Sequence, residues 1–574
     1  MKWKAPSTVS SLLILVAVTL ACLLPFIGKA LHIDDPFFVW CAQHIQSNPF
    51  DFCGPDINWV GSVTPMAAVQ QNPPLAAYYL ALVGSLFGWS EIALHCGFLL
   101  PALAAVIGTY YLARNFCSHP LAAALTTVTA PVFLLSSTSV MCDTMMLALW
   151  VWSVFFWIEG LKKEHAAKLG IAAFLIAACS LTKYFGLTLI PLLLAYSWME
   201  RHRIGSWLAY FSIPLLAIAF DLWVTHRLYG RAILPSAVSY ATNLRVGGDL
   251  PSKILAGLAF GGGCIVILLL AAPLLWGKKG LAIGVPAAAL VGLLVVAMKK
   301  VGVFPIVDGG NVKWLFVVQF SLFVVAGVNL VILAAADLLE WKTPVSVLLF
   351  LWIAGTIIFA CAVNWAVNGR TILPMLPAAS LLLIRRLETR KSIRGQDSIR
   401  RLYGPLAASL AVALLVAVAD YRLANSARIA ASVIKRDLSA TSSAIRFEGH
   451  WGFQYYMEKL GAKALDTMDL HLSSNEVIVV PLGNSYLFPL PEDRVAFWFE
   501  RRFQTLKWLT TMSLPSGAGY YSDGWGPIPF VFGRVPAEEY LVFRVRGSIS
   551  PPHATGDPGP HPAAVGECKS ASLD

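Results

Sequence analysis

A succession of long apolar runs constrains this 574-residue chain more than any other feature. Several extend for about 18 residues or more with hardly a charge, the length needed to cross a bilayer as a helix. Thirteen such segments are read at about 9–30, 92–113, 120–137, 144–160, 167–182, 184–199, 206–225, 254–276, 281–298, 314–336, 345–363, 371–385 and 403–420. Charged residues make up only 13% of the chain and hydrophobic ones 57%, against about 25% and about 45–50% in soluble domains. A soluble enzyme, a disordered chain and a disulfide-stapled secreted module are excluded by this balance.

The net charge of +11 is spread between the apolar runs, so it reads as a topology signal and not as a nucleic-acid surface. Arg114, Lys162, Lys163, Arg201, Arg203, Lys278, Lys279, Lys342 and the basic cluster at 385–401 all fall on one side of the predicted spans. With an odd span count, that side is cytoplasmic together with the N-terminus. The first apolar run is too long for a signal peptide and is read as an uncleaved helix. The expectation is an integral multi-pass protein of a bacterial inner membrane, with its C-terminal part periplasmic or extracellular.

Three outer stretches are not membrane: a long loop at 31–91, a second at about 226–253, and everything after about 421. In the last, Glu476–Leu482 and Tyr540–Val545 read as strands and Gly449–Gly461 as a helix, a small α/β unit. The expected division is a transmembrane domain at 1–421, an extracytoplasmic α/β domain at 422–549 and a disordered tail at 550–574 rich in Pro, Gly, Ala and Ser.

The scarce charge on the outer side carries the chemistry. Asp34 and Asp35 follow the first span directly, where a carboxylate can act as general base, hold a metal or cap the helix beginning at Pro36. Asp143, in the outer turn before the fourth span, is either another cap or a partner to the first-loop pair. Lys183 and Arg370 lie at outer helix ends, against the positive-inside bias. Both suit an anion such as a phosphate, Arg as a bidentate fork and Lys as a point charge, or else snorkel to lipid headgroups. His226, Arg227, Arg231, Arg245 and Lys253 form an outer basic loop, from which Arg227 joins the phosphate-binding candidates. The ten cysteines make no CxxC pair; a disulfide between Cys41 and Cys53 is allowed in an oxidising compartment. Trp451 to Tyr456 offers side chains that stack on sugars, although core packing explains them more simply.

In order and spacing these elements resemble the GT-C glycosyltransferases, in particular the group of protein O-mannosyltransferases and the lipid A aminoarabinose transferase (glycosyltransferase family 39). The resemblance covers about residues 8 to 420. It rests on Asp34-Asp35 after the first span, Asn72-Pro73-Pro74-Leu75 before the second, Asp143, Thr182-Lys183, and the run from Arg370 through Pro377. It implies an all-α polytopic GT-C fold of about thirteen transmembrane helices with a small outer α/β domain. It also implies a sugar donor on polyprenyl phosphate, used on the outer face, with Asp34 in the position of the family's catalytic carboxylate. Asp35 replaces the family's usual Glu, and Asn72 stands where Lys or His is common, which leaves that phosphate contact in doubt. On this reading Asp34, Asp35 and Asp143 are the catalytic set and Lys183, Arg370 and Arg227 hold donor phosphate. A divalent metal is left open, and the acceptor can be lipid, glycan or protein. The rival expectation is a transporter or flippase for lipid-linked glycans, which would need charges along a pathway within the spans, with Asp221 and Asp337 as its candidates.

Overall fold

The structure, a computed structural model, describes residues 7–244, 246–389, 395–439 and 443–547. The tail at 550–574 and Arg245 lie outside the described residues. Every one of the thirteen predicted segments contains helix, because an apolar stretch in lipid must satisfy its backbone within itself. Eight of these helices are long and apolar enough to cross a membrane among the described residues, from Thr8–Phe26 to Ile399–Asp437. A ninth is the pair Pro120–Val128 and Pro131–Ser137, bent by 62° where Pro131 cannot continue the first helix.

The remaining four segments are shorter or broken. Ala166–Thr182 has 17 residues; the next starts as a 3₁₀ turn, Tyr184–Thr188, before Leu189–Arg201. The segment read at 254–276 is interrupted after Leu250–Cys264, and Gly277 breaks the following helix with a φ of 65°. The one read at 371–385 opens as the four-residue helix Gly369–Ile372 and settles into Leu376–Thr389 after Pro374. The chain is a multi-pass integral membrane protein, and two of the broken segments carry Lys183 and Arg370 at the break.

The outer unit is a five-stranded sheet in the order Val495–Phe503, Glu538–Val545, Val477–Pro481, Ile445–Phe447, Lys463–Ala464. The first three strands run antiparallel; Ile445–Phe447 lies parallel to both its neighbours, with the helix Trp451–Lys459 as crossover. The expected strands and helix are present, and Val495–Phe503 is an addition whose charged face (Glu500, Arg501, Arg502) hides its strand pattern. The last membrane helix runs on to Asp437, so the stretch just after 421, expected in the outer domain, continues that helix.

One buried ion pair ties the layers together. Lys29, at the end of the first span, donates to Asp420 of the last at 2.5 Å, both essentially unexposed. The same carboxylate accepts from Thr511 Oγ1 at 2.7 Å and from the Tyr521 hydroxyl at 2.9 Å. Gly452 lets the helix of the outer unit lie against the Leu31 carbonyl; any Cβ there would collide with it. The thiols of Cys41 and Cys53 are both fully buried and unbridged.

Candidate active site

The adjacent carboxylates after the first span have separate tasks. Asp35 is fully buried and accepts from the amides of His32 and Val140, each at 2.9 Å. It pins the first outer loop to the turn before Asp143, and burial pushes its carboxyl up to about 7. Asp35 lines neither of the two cavities that Asp34 borders, and its two amide bonds make it a positioning residue in this structure, where the sequence sets it among the catalytic carboxylates. Asp34 occupies the N-cap position of the helix Asp35–Ser47 but makes no capping bond with its side chain. Its carboxylate instead accepts from Arg370 Nη1 at 2.8 Å and is one-third exposed.

Arg370 is delivered by local sequence chemistry. Asn368 caps the short helix after it, accepting from the Thr371 amide at 2.9 Å, and Thr371 Oγ1 accepts in return from the Asn368 amide. Gly369 is packed against the Tyr520 ring, where a Cβ has no room, and donates its amide to the Tyr520 carbonyl at 2.7 Å. Three residues before Arg370, Val367 exchanges two bonds with Asp523: its amide donates to Oδ1 at 3.0 Å, and its carbonyl accepts from the Asp523 amide at 2.8 Å. The guanidinium keeps a buried Nε with no partner.

Lys183 leaves the end of the helix Ala166–Thr182 in extended backbone and donates to Asp143 Oδ1 at 2.6 Å. Asp143 is 1% exposed, and its Oδ2 has no partner. Asp34, Arg370 and Lys183 line one cavity of about 410 Å³ together with Asn72 and Cys142. Its far wall is apolar, built from Phe185, Leu187, Val238, Phe359 and Val363. A second cavity of about 670 Å³, walled partly by the outer unit, shares Asp34 and Arg370 with the first but not Lys183.

Arg227 does not join this site. It is exposed on the last turn of the helix Ser212–Tyr229 and lines neither cavity. Arg231, one helical turn further along the chain, lines the larger cavity and donates to the Ala67 carbonyl at 3.0 Å. Which arginine faces inward depends on where the helix ends at Gly230, a detail that charge patterning does not carry. The open question of a metal meets a poor donor set: Asp34 and Asp143 are each held by a cation, and no group of three or more His, Cys, Asp or Glu stands together among the described residues.

Sequence reasoning missed Lys29, Asp420 and Asp523, whose partners lie far along the chain. Burial lifts the Asp523 carboxyl to about 7. An aspartate near 4 when unfolded is then carried protonated into the fold. The stability it contributes is complete below about pH 4 and is lost as the pH climbs towards 7. Asp35, Glu448 and Glu538, all raised to about 7 by burial, act with the same sign. Burial lowers His32 and His450 to about 4 and so acts with the opposite sign over the same range. The expected result is therefore a difference: the melting temperature of Asp523→Asn relative to the parent rises between about pH 4 and 7, checked by thermal melts at a series of pH values. An unchanged slope in the variant would contradict it.

The broken helices, the paired charges at one end of the bundle and the small C-terminal sheet unit define a polytopic membrane protein. Residues 71–226 match the family described as dolichyl-phosphate-mannose-protein mannosyltransferase. That match contains Asp143 and Lys183 and leaves the rest of the chain unmatched. No curated protein matches by sequence. Among solved structures, the chain is similar to ArnT from Cupriavidus metallidurans bound to undecaprenyl phosphate, at 13% identity and a TM-score of 0.42, over 83% of this chain and 94% of that one. It is also similar to the arabinofuranosyltransferase AftD from Mycobacteria, at 12% identity and a TM-score of 0.40, over 95% of this chain and 40% of that one. The arabinosyltransferase EmbB from Mycobacterium smegmatis matches at 13% identity and a TM-score of 0.33, over 90% and 48%. Likeness at these TM-scores carries none of the functional argument.

Proposed function

We propose that this protein transfers a sugar from a polyprenyl-phosphate donor to an acceptor hydroxyl or amine at the extracytoplasmic face of a bacterial inner membrane. The observation that carries this reading is the position of Asp34 and Arg370 where two cavities meet. The smaller cavity combines two cations with an apolar wall, the pairing that a lipid phosphate needs. The family matched by residues 71–226 is described by a sugar donor on dolichyl phosphate, the same chemical class.

In the proposed step the acceptor oxygen or nitrogen attacks the anomeric carbon and Asp34 takes its proton. The bond from that carbon to the phosphate oxygen breaks, and polyprenyl phosphate departs with the electron pair. Arg370 and Lys183 neutralise the charge that appears on it. Before donor binds, Arg370 rests on Asp34. A phosphate that draws the guanidinium to itself frees the carboxylate to act as base. A single displacement of this kind inverts the anomeric centre.

Neither charge that a transport pathway would use stands free. Asp221 accepts from the Tyr184 hydroxyl at 2.9 Å, and Asp337 is paired with Arg385 at 2.9 Å. The test is donor affinity. Lys183→Ala and Arg370→Ala are each expected to weaken binding of undecaprenyl phosphate about ten- to a hundredfold, the worth of one charge-assisted hydrogen bond. Arg370→Lys recovers part of the loss because it keeps the charge without the fork. Unchanged affinity in both alanine variants, measured on protein that melts normally, would overturn the phosphate clamp.

A further inference from the structure

We infer that the larger cavity is an acceptor subsite that binds an uncharged sugar by its faces, so that the acceptor is a glycan and not a protein side chain. This rests on the glycosyl-transfer reading above and names the class of its second substrate.

The walls are aromatic to an unusual degree. Trp59, Tyr240, Trp365, Trp451, Tyr486 and Trp525 all line this cavity and all are half-buried; the first three also border the smaller cavity, and Trp451, Tyr486 and Trp525 belong to the larger one alone. They come in crossed pairs: Trp451 with Trp525, ring centroids 5.8 Å apart, and Tyr240 with Trp365, also 5.8 Å. The negative ring face attracts the positive C–H edge of a pyranose, while its hydroxyls need scattered hydrogen-bond partners. Gln71, Ser239, Asn243 and Ser485 supply such groups on the same walls. The volume of about 670 Å³ falls within the range of small-molecule sites, about 300–1,000 Å³.

Charge is sparse on these walls. Three charged side chains line the cavity: Asp34 and Arg370 are paired with one another, and Arg231 donates to the Ala67 carbonyl. Aromatic and uncharged polar groups make up most of the remaining surface.

Backbone geometry provides an independent sign that this cavity is built for a task. Ile33, Trp451 and Tyr486 line it with φ values of 49°, 62° and 52°. The left-handed region is unfavourable for side chains of this bulk and persists where the surroundings impose it, commonly at binding sites. The bonds that impose it are visible. Asn484 accepts from the His450 amide at 2.8 Å and donates to the His450 carbonyl at 3.1 Å, which locks the segments entering Trp451 and Tyr486 against each other. Asp35 holds the His32 amide just ahead of Ile33. Strain at these three positions aims two aromatic rings and the strand of chain next to Asp34 into one space.

The test titrates the full-length protein in nanodiscs with a panel of neutral disaccharides (cellobiose, maltose and mannobiose) and with a capped Ser/Thr-rich peptide, reading tryptophan fluorescence. Binding of undecaprenyl phosphate is measured on the same samples. At least one disaccharide is expected to bind saturably. Trp451→Leu and Trp525→Leu should each weaken it up to about tenfold, with Trp451→Phe much milder, while the affinity for undecaprenyl phosphate is unchanged. Sugar binding indifferent to both leucine variants, no disaccharide binding at tens of millimolar, or saturable peptide binding that Trp451→Leu abolishes would each overturn the glycan subsite. Failure of the donor reading looks different: sugar binding persists while undecaprenyl phosphate shows no Arg370-dependent binding.

Discussion

Asp34→Asn is expected to lower sugar transfer about a hundred- to ten-thousandfold, the range a positioned general base contributes, while the protein still inserts and still binds its lipid donor. The amide keeps the shape of the carboxylate and can still accept from Arg370, so the local structure has no reason to change. It cannot take up the acceptor proton. The measurement is transfer from a labelled polyprenyl-phosphate sugar under single-turnover conditions, with donor affinity determined in parallel. Near-wild-type turnover would remove Asp34 from the catalytic role, and loss of both turnover and donor affinity would make it a structural partner of Arg370. Asp35→Asn provides a contrast. Its carboxylate accepts two backbone amides and faces no cavity, so damage there should show first in the melting temperature.

The second large effect is expected at a position with no chemistry of its own. Asp420→Ala leaves the Lys29 ammonium buried with no anion beside it and deprives Thr511 and Tyr521 of their acceptor. Removal of one partner of a buried pair costs about 3–5 kcal/mol, a large share of the stability of an ordinary domain. Asp420→Asn should cost less, because its amide oxygen can still accept from Lys29 and Tyr521 while its NH2 donates to the Thr511 hydroxyl. The double variant Lys29→Met with Asp420→Leu should recover much of the loss, since an apolar pair of similar volume avoids the desolvation of both charges. Thermal melting in detergent measures all three. A melting temperature for Asp420→Ala within a degree or two of the parent would show that the pair does not bind the outer unit to the bundle.

How much of this was legible in the sequence differs from residue to residue. Arg370 stood out because a cation at that helix end opposes the usual bias, whereas the cap that Asn368 makes with Thr371 emerged only in the structure. Lys183 stood out for the same reason. Only the family resemblance set Asp34 apart from Asp35, and the turn into the helix separated them physically by sending one carboxylate to Arg370 and the other to two backbone amides. Arg227 and Arg231 were equally good candidates until the end of a helix exposed one and turned the other towards the cavity. The aromatic run from Trp451 to Tyr456 split: Phe453, Tyr455 and Tyr456 joined the core, and only Trp451 lines the cavity. Nothing in the linear pattern pointed to Lys29 with Asp420, which are 391 positions apart.

By itself the sequence determined that the chain lies in a membrane, where its helices run, and which few charges sit at helix ends against the bias of the rest. Those are local properties: apolar length against bilayer thickness, and the cost of a charge that has no water around it. Tertiary structure alone decided which of those charges meet. Contacts such as Arg370 with Asp34, Lys183 with Asp143 and Asp523 with Val367 join residues whose separation along the chain carries no signal. Only the packing of the broken helices with the C-terminal unit could set two adjoining cavities around one carboxylate, because the shape of an enclosed space belongs to the assembled walls and to no single segment.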